Sequence, residues 1–331
     1  MRFVIVGFGF MGQTHCGNLL RMPDAEVVGI VDPIDPLMRL RTVKGNLQTV
    51  SLSADDVSRI RHFTELDEAL SLLKPDAAVI CLPTFLHETG VLAALEHHAH
   101  VFVEKPFSLT DDSCRRMLDS AAANGRIIAV GHVVRKVPED AYLRETAASG
   151  RLGKLKFLQL LRITGIPNWG NWSDPSAVNA AGGALFDLVS HDIDFARCVL
   201  GETGNITVDP VLCREFNGNY IAAQLHYPEC LVSVEGGFVT PSGFPFSCGY
   251  RAFFEKGTLI GDSSGICREY SLAGEEIPVD PDRQDPYFAE MSEFMKAVSG
   301  EAVSFCSGSD AAGTVKYCNI IREKLAAENE K

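Results

Sequence analysis

The 331-residue chain lacks the features by which several classes of protein are recognised. Positive charge is not in excess, because 30 Lys and Arg stand against 43 Asp and Glu, for a net charge of −13. That balance argues against a general nucleic-acid or anionic-membrane partner. No apolar run reaches the ~20 residues that span a bilayer. The first predicted strand begins at Arg2, which leaves no room for a signal peptide, so we expect a cytoplasmic protein.

The cysteines form neither a metal framework nor a disulfide framework. All ten are scattered, without a Cys-x-x-Cys pair, and several lie inside apolar segments where a reduced thiol behaves as a small hydrophobe. This usage is typical of a reducing compartment, and we predict no metal site. The chain has 46% hydrophobic and 22% charged residues, and its length allows two domains with an ample core.

The most informative stretch is the N-terminus, where an apolar strand ends in Gly-x-Gly-x-x-Gly. Gly7 permits the tight turn, Gly9 leaves the backbone open to a pyrophosphate, and Gly12 lets the next helix pack close to the strand. Phe10 and Met11 lie between these glycines and open that helix. Its first N–H groups and positive dipole end face the phosphates. The pattern predicts a dinucleotide site.

An acidic residue completes the dinucleotide pattern. A second apolar strand over residues 26–31 ends at Asp32, twenty residues beyond Gly12. A carboxylate there accepts hydrogen bonds from both ribose hydroxyls and repels a ribose phosphate. We therefore predict NAD as the cofactor, with NADP as the less favoured alternative because Arg39 and Arg41 follow closely. The competing interpretation is that Asp32 only caps the next helix.

Two different patterns of elements divide the chain. Strand-like and helix-like segments alternate up to residue 130, which predicts an α/β domain with a doubly wound, six-stranded parallel sheet of the Rossmann type. From residue 131, alternating polar and apolar runs predict a strand-rich domain with an antiparallel sheet flanked by helices. Its predicted strands cover 154–163, 206–216, 220–227, 231–239, 249–254, 258–260 and 268–272, and its predicted helices cover 184–200, 287–298 and 310–328. We predict a cofactor-binding domain over 1–130 and a second domain over 131–331. A broad sheet face often takes a partner, so we expect a homo-oligomer.

A lysine follows one strand of the parallel sheet directly, in the run Glu104-Lys105-Pro106. At the carboxyl end of a strand and beside a bound cofactor, Lys105 can hydrogen-bond a substrate hydroxyl or carbonyl and take part in proton transfer. Pro106 restricts the loop that carries it. The alternative is a solvated surface lysine with Glu104 as its surface partner.

A second candidate group lies in the other domain, after Gly182 and Gly183. Asp187 and His191 are four residues apart and share one face of the predicted helix. A carboxylate beside an imidazole raises its proton affinity and fixes its tautomer, as an acid–base pair requires. With Asp194 the same face could bind a metal, which we disfavour because no His or Cys cluster accompanies it. The other alternative is a structural helix with an ion-paired histidine.

In combination, the glycine motif at 7–12, Glu-Lys-Pro at 104–106 and the Gly-Gly, Asp and His pattern at 182–191 resemble the glucose–fructose oxidoreductase / inositol dehydrogenase (Gfo/Idh/MocA) family. Pro83 with His87, after the fourth strand, also matches the family, and the resemblance spans nearly the whole chain. It implies a Rossmann domain over 1–130, followed over 131–331 by a substrate-binding and oligomerisation domain of the α+β class whose open, mostly antiparallel sheet makes homodimer or homotetramer contacts. It also implies an NAD(P)-dependent oxidoreductase that transfers a hydride between a secondary alcohol or carbonyl of a sugar, cyclitol or nucleotide sugar and nicotinamide.

The resemblance also implies roles for individual residues. Lys105 binds and polarises the reacting oxygen, His191 is the acid–base, and Asp187 orients His191 or holds a substrate hydroxyl. Cofactor contacts are implied for Gly7, Gly9, Phe10, Met11, Gly12, Asp32, Pro83, His87, Glu104 and Lys105. The chain departs from the family at His132, where an aromatic residue is common, and at Val189, where glycine is common.

Further substrate contacts are predicted in the loop 165–172. Trp169 and Trp172 offer indole faces that stack on sugar C–H surfaces, although buried tryptophans more often only pack. Arg162, near the end of its strand, is another candidate substrate residue, with ordinary ion pairing as the alternative.

Other functions use the same residues. A non-catalytic NAD-binding regulator keeps the glycine motif but needs neither the lysine nor the histidine. An NAD-dependent glycosidase with transient redox chemistry uses all of them, and reduction of an imine or another carbonyl is a third alternative.

Overall fold

The computed structural model describes residues 1–43, 50–165, 178, 180–216, 218–241 and 243–329. The chain forms two compact units: unit 1 is Met1–Val133 with Asp285–Gly313, and unit 2 is Val134–Gln284 with Thr314–Lys331. The predicted boundary at residue 130 lies close to the first change of unit, whereas residues 285–313, predicted within the second domain, return to unit 1. Among the described helices, none combines the length and the apolar composition needed to cross a membrane.

Unit 1 is built on a six-stranded parallel sheet in the order β3-β2-β1-β4-β5-β6. The strands are β1 Arg2–Val6, β2 Glu26–Val31, β3 Arg61–Phe63, β4 Ala77–Ile80, β5 His100–Glu104 and β6 Ile128–Gly131. The described α-helices are Phe10–Leu20, Pro36–Thr42, Ala54–Ser58, Leu66–Leu73, His87–Glu96, Asp111–Asn124 and Pro286–Val298. Every residue of β4 is buried, as a strand of a sheet covered on both faces must be. The order and direction of the strands confirm the predicted Rossmann fold.

The helix Pro286–Val298 belongs to the core of unit 1 although it is distant in sequence. Met291 and Phe294 are fully buried, and the ring of Phe294 lies 6.4 Å from that of Phe3 and 5.8 Å from that of Phe102. Burying one such side chain is worth roughly 1.5–3 kcal/mol. The apolar stripe that predicts the helix therefore also holds it in the unit 1 core.

Unit 2 contains an eight-stranded sheet in the order β14-β13-β12-β11-β7-β10-β9-β8. The strands are β7 Leu155–Gly165, β8 Asn205–Val208, β9 Tyr220–His226, β10 Leu231–Thr240, β11 Ser247–Phe254, β12 Gly257–Asp262, β13 Cys267–Ser271 and β14 Glu276–Pro278. Pairing is antiparallel except between β7 and β10, which confirms the predicted mostly antiparallel sheet. The described helices include Pro138–Ser149, Ser190–Leu200 and Pro210–Glu215, and a further helix covers Gly308–Asn329.

The strand prediction over 206–216 is wrong beyond Val208. Asp209 caps a short helix, Pro210–Glu215, with its Oδ1 accepting the N–H of Val211 at 2.9 Å and Pro210 in the first turn. An aspartate followed by proline is a strong helix start. These local signals outweigh the apolar content of the segment.

One face of the unit 2 sheet is less buried than the other. Phe157 of β7 pairs in register with Phe253 of β11 and with Leu231 of β10, and the two phenylalanine rings lie 5.7 Å apart. Phe253 is 41% exposed, whereas Leu158 and Leu160, on β7, are buried. We call the side of the sheet that carries Phe157, Phe253 and Leu231 the open face.

Candidate active site

The glycine turn of unit 1 excludes side chains at two positions and leaves space at a third. A Cβ built on Gly7, which has a φ of +88°, lies 2.6 Å from the carbonyl oxygen of Cys81, and one built on Gly12 lies 2.0 Å from that of Gly7. A Cβ built on Gly9 meets no described atom within 4 Å. Gly9 is also the N-cap of the helix Phe10–Leu20 and provides no side-chain cap. This open helix start fits the pyrophosphate of a dinucleotide.

Asp32 lies at the end of β2 and is 3% exposed. Its Oδ2 accepts the N–H of Phe8 at 2.8 Å, and its Oδ1 accepts the N–H of Ile34 and Nε of Arg39, both at 2.9 Å. The alternative that Asp32 caps the next helix is wrong, because Asp35 accepts the first free N–H groups there. Asp32, the predicted ribose ligand, and Arg39, a side chain able to accommodate a ribose phosphate, thus lie side by side.

Lys105 follows the last residue of β5, at the sheet edge where the parallel strands end. It is half-buried, and the Lys105–Pro106 peptide is cis. Its N–H donates to Oε2 of Glu104 at 3.2 Å. Glu104 is 8% exposed and is therefore not the solvated surface partner that the alternative interpretation requires.

The buried Glu104 carboxylate has a specific partner in His15. Its Oε1 lies 2.6 Å from Nε2 of His15. Burial acts to raise the pKa of Glu104, but the hydrogen bond and charge of His15, together with Lys105, outweigh burial and lower that pKa below its ordinary value. Glu104 is therefore an ionised carboxylate inside unit 1.

His15 is a candidate site residue that was not predicted from the sequence. It lies three residues after Gly12 on the helix Phe10–Leu20, and residues three apart share a helix face. Since Gly12 packs on the turn after β1, His15 had to point inward as well. The available signal was a histidine on the sheet-facing side of the dinucleotide helix.

Pro83 and His87 follow β4 at the same sheet edge. Pro83 precedes a short 3₁₀ turn, and the buried His87 has Nδ1 at 2.9 Å from the carbonyl oxygen of Pro106 and Nε2 at 2.9 Å from that of Leu82. Burial lowers the pKa of His87, against the effect of these carbonyls. The imidazole therefore ties the loop after β4 to the loop that carries Lys105.

In unit 2, Asp187 and His191 do not lie on one continuous α-helix as predicted. Residues Leu185–Val189 form a single π-helical turn, which the α-helix Ser190–Leu200 continues. The hydroxyl of Ser190 donates to the carbonyl oxygen of Phe186 at 2.6 Å and competes with the α-helical bond to that oxygen. Asp187 and His191 are both half-buried, four residues apart on adjacent turns. Such π-turns are frequent at functional sites.

Asp194 is the third residue, after Asp187 and His191, of the helix face that could bind a metal. Its carboxylate binds other side chains of the protein. Nε and Nη2 of Arg135 bind its carboxylate at 2.7 and 2.8 Å, and the hydroxyl of Thr314 donates to it at 2.9 Å. All three side chains are buried. A guanidinium already neutralises this carboxylate, which supports a structural role for Asp194.

Arg162 forms an ion pair, which was the alternative to its predicted role as a substrate contact. Its Nε and Nη2 bind the carboxylate of Asp192 at 3.0 and 2.8 Å, and both residues are buried. Burial raises the pKa of the nearby Asp140 to about 8, although Arg162 acts against that shift. A direct substrate contact by Arg162 stays a prediction. Trp169 and Trp172 lie outside the described residues.

Comparisons with known proteins relate both units to one family. The model described as oxidoreductase family, NAD-binding Rossmann fold (GFO_IDH_MocA) matches residues 1–132, and the GFO/IDH/MocA C-terminal domain matches residues 141–260. The inositol 2-dehydrogenase 4 of Saccharopolyspora erythraea is 26% identical over 330 residues, which cover 96% of this chain and 91% of that protein.

Two further likenesses differ in how much they cover. The 2,7-anhydro-N-acetylneuraminate hydratase of Mediterraneibacter gnavus is 26% identical over 201 residues, 60% of this chain, and the match spans only 49% of that relative. The solved UDP-N-acetylglucosamine 3-dehydrogenase from Acidithiobacillus ferrooxidans shares the fold, with a TM-score of 0.81, 20% identity and coverage of 99% of this chain and 98% of that chain. Because family models match most of the chain, in both units, the protein belongs to the GFO/IDH/MocA family of oxidoreductases.

Proposed function

We propose that the protein is an NAD(P)-dependent dehydrogenase that oxidises a CH–OH group of a sugar, cyclitol or nucleotide sugar, with NAD as the preferred cofactor. One observation carries the proposal. The glycine turn after β1, Asp32 after β2 and Lys105 after β5 all stand at the carboxyl edge of one parallel sheet, where ligands of doubly wound folds bind. A cofactor-binding turn and a positioned ammonium group thus share one edge.

The residues of unit 1 divide the binding of the cofactor between them. The N–H groups that open the helix Phe10–Leu20, with Gly9 in front of them, hold the pyrophosphate. Asp32 accepts a ribose hydroxyl, and Pro83 and His87 shape the loop beside it. A bound nicotinamide cofactor supplies the acceptor for the hydride.

Lys105 and His191 supply the proton chemistry in this proposal. The Lys105 ammonium binds the substrate oxygen and stabilises the negative charge that grows on it as the C–H bond breaks. His191 takes the hydroxyl proton during oxidation and returns it during reduction, and Asp187 favours the protonated imidazole and orients it. Arg162, Trp169 and Trp172 stay proposed substrate contacts.

The inositol dehydrogenase and UDP-N-acetylglucosamine dehydrogenase among the similar proteins support the choice of a polyhydroxylated substrate. The experiment is a screen in which the protein is mixed with NAD or NADP and with inositol, glucose or UDP-N-acetylglucosamine, and the absorbance of the reduced cofactor is followed. We expect net formation of reduced cofactor with at least one compound. No reduced cofactor with any sugar or polyol, while NADH still binds, would contradict the proposal and favour a non-catalytic regulator.

A second candidate is a reaction on the same scaffold without net oxidation. The likeness to a protein named as a hydratase supports it. The same incubations separate the two when the remaining compound is also quantified by chromatography, because a compound that is consumed while no reduced cofactor accumulates indicates transient redox chemistry.

We also propose that the protein is a cytoplasmic homodimer or homotetramer that assembles through the open face. All ten cysteines are free thiols, which suits a reducing compartment. The open face carries the apolar Phe157, Phe253 and Leu231 beside the polar Gln159, Arg251 and Ser233, and a face of this mixed composition can serve as an interface between copies.

A further inference from the structure

The main chain at Lys105 is held by a buried pair within unit 1. Oε2 of Glu104 accepts the N–H of Lys105 at 3.2 Å, and Oε1 of the same carboxylate lies 2.6 Å from Nε2 of His15. His15 is fully buried. Since an ionised carboxylate only accepts hydrogen bonds, Nε2 of His15 must be the donor. The histidine therefore determines where the carboxylate, and with it the start of the Lys105 loop, is held.

We propose that His15 is a positioning residue for Lys105 and acts through Glu104. The hydrogen bond from His15 fixes one oxygen of Glu104, so that the other stays aligned with the backbone N–H of Lys105. This inference rests on the proposed function in one respect, namely that Lys105 acts on the substrate oxygen. In this proposal the helix Phe10–Leu20 has two functions: its first turn binds the pyrophosphate, and His15 positions the Lys105 loop.

The surroundings leave the pair little freedom to rearrange. The ring of His15 packs edge-on against Phe102, with centroids 5.0 Å apart, and against Tyr287 at 6.1 Å. A Cβ built on Gly131 of β6 lies 3.2 Å from Oε1 of Glu104, so a side chain there would crowd the carboxylate. Packing on these sides holds both groups in one geometry, as a site that positions another residue requires.

The charges around the pair make the histidine donor necessary. The carboxylate of Glu290, on the helix Pro286–Val298, has an oxygen within 4.8 Å of ligand atoms of both His15 and Glu104. Burial raises the pKa of the neighbouring Cys81, and the negative charges of Glu104 and Glu290 add to that rise, so this thiol supplies no charge. Lys105 is the other charged group that acts on Glu104. Without His15, two buried carboxylates face each other, and Glu104 must take up a proton or turn away.

Three variants of His15 test the proposal. His15→Leu removes the donor and keeps an apolar side chain, His15→Asn keeps a polar group too short to reach Glu104, and His15→Gln can place an amide N–H where Nε2 was. Leu19→Ala, on the same helix, is the matched control, because Leu19 is fully buried but has no hydrogen bond to Glu104. For each protein we measure the melting temperature, the Kd of NADH and the hydrogen exchange of the peptide 104–109. We also measure kcat and KM with NAD. The substrate for these kinetics is whichever of inositol, glucose and UDP-N-acetylglucosamine gives most NADH with the wild-type protein.

For His15→Leu and His15→Asn we expect faster exchange in the peptide 104–109 and a kcat that falls by about 10–100-fold, because misplacing a reacting group by about 1 Å can cost about 100-fold in rate. The Kd of NADH should stay within about twofold, because the glycine turn is untouched. His15→Gln should recover most of kcat and of the protection. Leu19→Ala should lower the melting temperature without changing the hydrogen exchange of the peptide 104–109 or kcat.

Wild-type exchange at 104–109 and wild-type kcat in both His15→Leu and His15→Asn would overturn the proposal. If His15→Leu does not fold, the comparison of His15→Asn with His15→Gln decides in the same way. Failure of the proposed function is distinguishable, since in that case the wild-type protein reduces no NAD with any of the three compounds. The exchange measurement, which needs no substrate, then still decides whether His15 positions the Lys105 loop.

Discussion

Lys105 is the residue on which the proposed chemistry depends. Its N–H donates to Glu104, and the same backbone contact is available to every residue other than proline at this position. A substitution of the side chain therefore removes the ammonium group without releasing the loop. This separation of backbone support from side-chain chemistry makes the role of Lys105 testable.

We predict that Lys105→Ala lowers kcat by about 100-fold or more, the usual effect of deleting a group that stabilises developing charge. NADH should bind within about twofold of the wild type, as measured by calorimetry. Lys105→Arg is the control that keeps the charge but changes its shape. Turnover of Lys105→Ala near the wild-type rate would refute the assigned role.

Arg39 is a second residue with a measurable consequence. Its guanidinium pairs with Asp32, and an arginine–phosphate contact is worth roughly 1.5–3 kcal/mol, or about tenfold or more in affinity. We predict that Arg39→Ala weakens NADP binding by about tenfold and changes NAD binding less. Calorimetric titration with both cofactors measures this, and Arg41→Ala, exposed on the same helix, is the control. Equal losses for NAD and NADP would show that Arg39 does not discriminate between them.

At the scale of elements, the helix Pro138–Ser149, β7 and the helix Ser190–Leu200 contribute the half-buried Asp140 and the buried Arg162 and Asp192 to one cluster of charged groups. The pKa of Asp140 is about 8, far above its value in an unfolded chain. The folded state therefore retains a proton that the unfolded state has already lost near pH 4. The contribution of this group to stability is largest below about pH 4 and declines as the pH rises to about 8.

We predict that Asp140→Asn stabilises the protein increasingly as the pH rises from 4 to 8, by at most about 1.4 kcal/mol per pH unit. Urea unfolding at pH 5 and pH 8 measures the difference from the wild type. Asp280→Asn is the control, because the side chain of Asp280 is 92% exposed. A constant difference between Asp140→Asn and the wild type at the two pH values would mean that Asp140 does not hold the proton.

The sequence predicts helices and strands well where a local pattern determines them, and less well where a single side-chain contact or a contact between distant segments does. Apolar runs bounded by glycine or an acid predicted β1 and β2 at their observed bounds, since only the first residue of each strand is exposed and nearly all the others are buried. The π-turn at Leu185–Val189 was not predicted, because a single hydroxyl, that of Ser190, competes for one carbonyl. Periodicity also predicted the helix Pro286–Val298 without indicating which core it joins.

The candidate site was predictable to a similar degree. The glycine turn and Asp32 follow from spacing along the chain, and the structure places them together after β1 and β2. The pairing of His15 with Glu104 joins residues 89 positions apart and depends on how the helix packs on the sheet. Spacing alone does not encode a contact of that kind.

At the scale of the whole molecule, assembly through the open face is the first prediction. Phe253→Glu places a charge opposite Phe157 and should shift the protein from a dimer or tetramer to a monomer, as measured by light scattering after size-exclusion chromatography. Leu72→Glu, at a 57% exposed position on a unit 1 helix, is the control and should leave the assembly unchanged. A wild-type monomer, or an oligomer unaffected by Phe253→Glu, would contradict an interface at this face.

The central claim for the molecule is that a carbon-bound hydrogen of a polyol or sugar passes to nicotinamide. The most direct measurement uses whichever of inositol, glucose and UDP-N-acetylglucosamine reduces the cofactor, deuterated at its carbinol carbons, with mass spectrometry of the reduced cofactor. We predict one deuterium per reduced nicotinamide and a slower reaction than with the unlabelled compound. Reduced cofactor without deuterium, or none with any of the three, would contradict the assignment of this protein as a dehydrogenase.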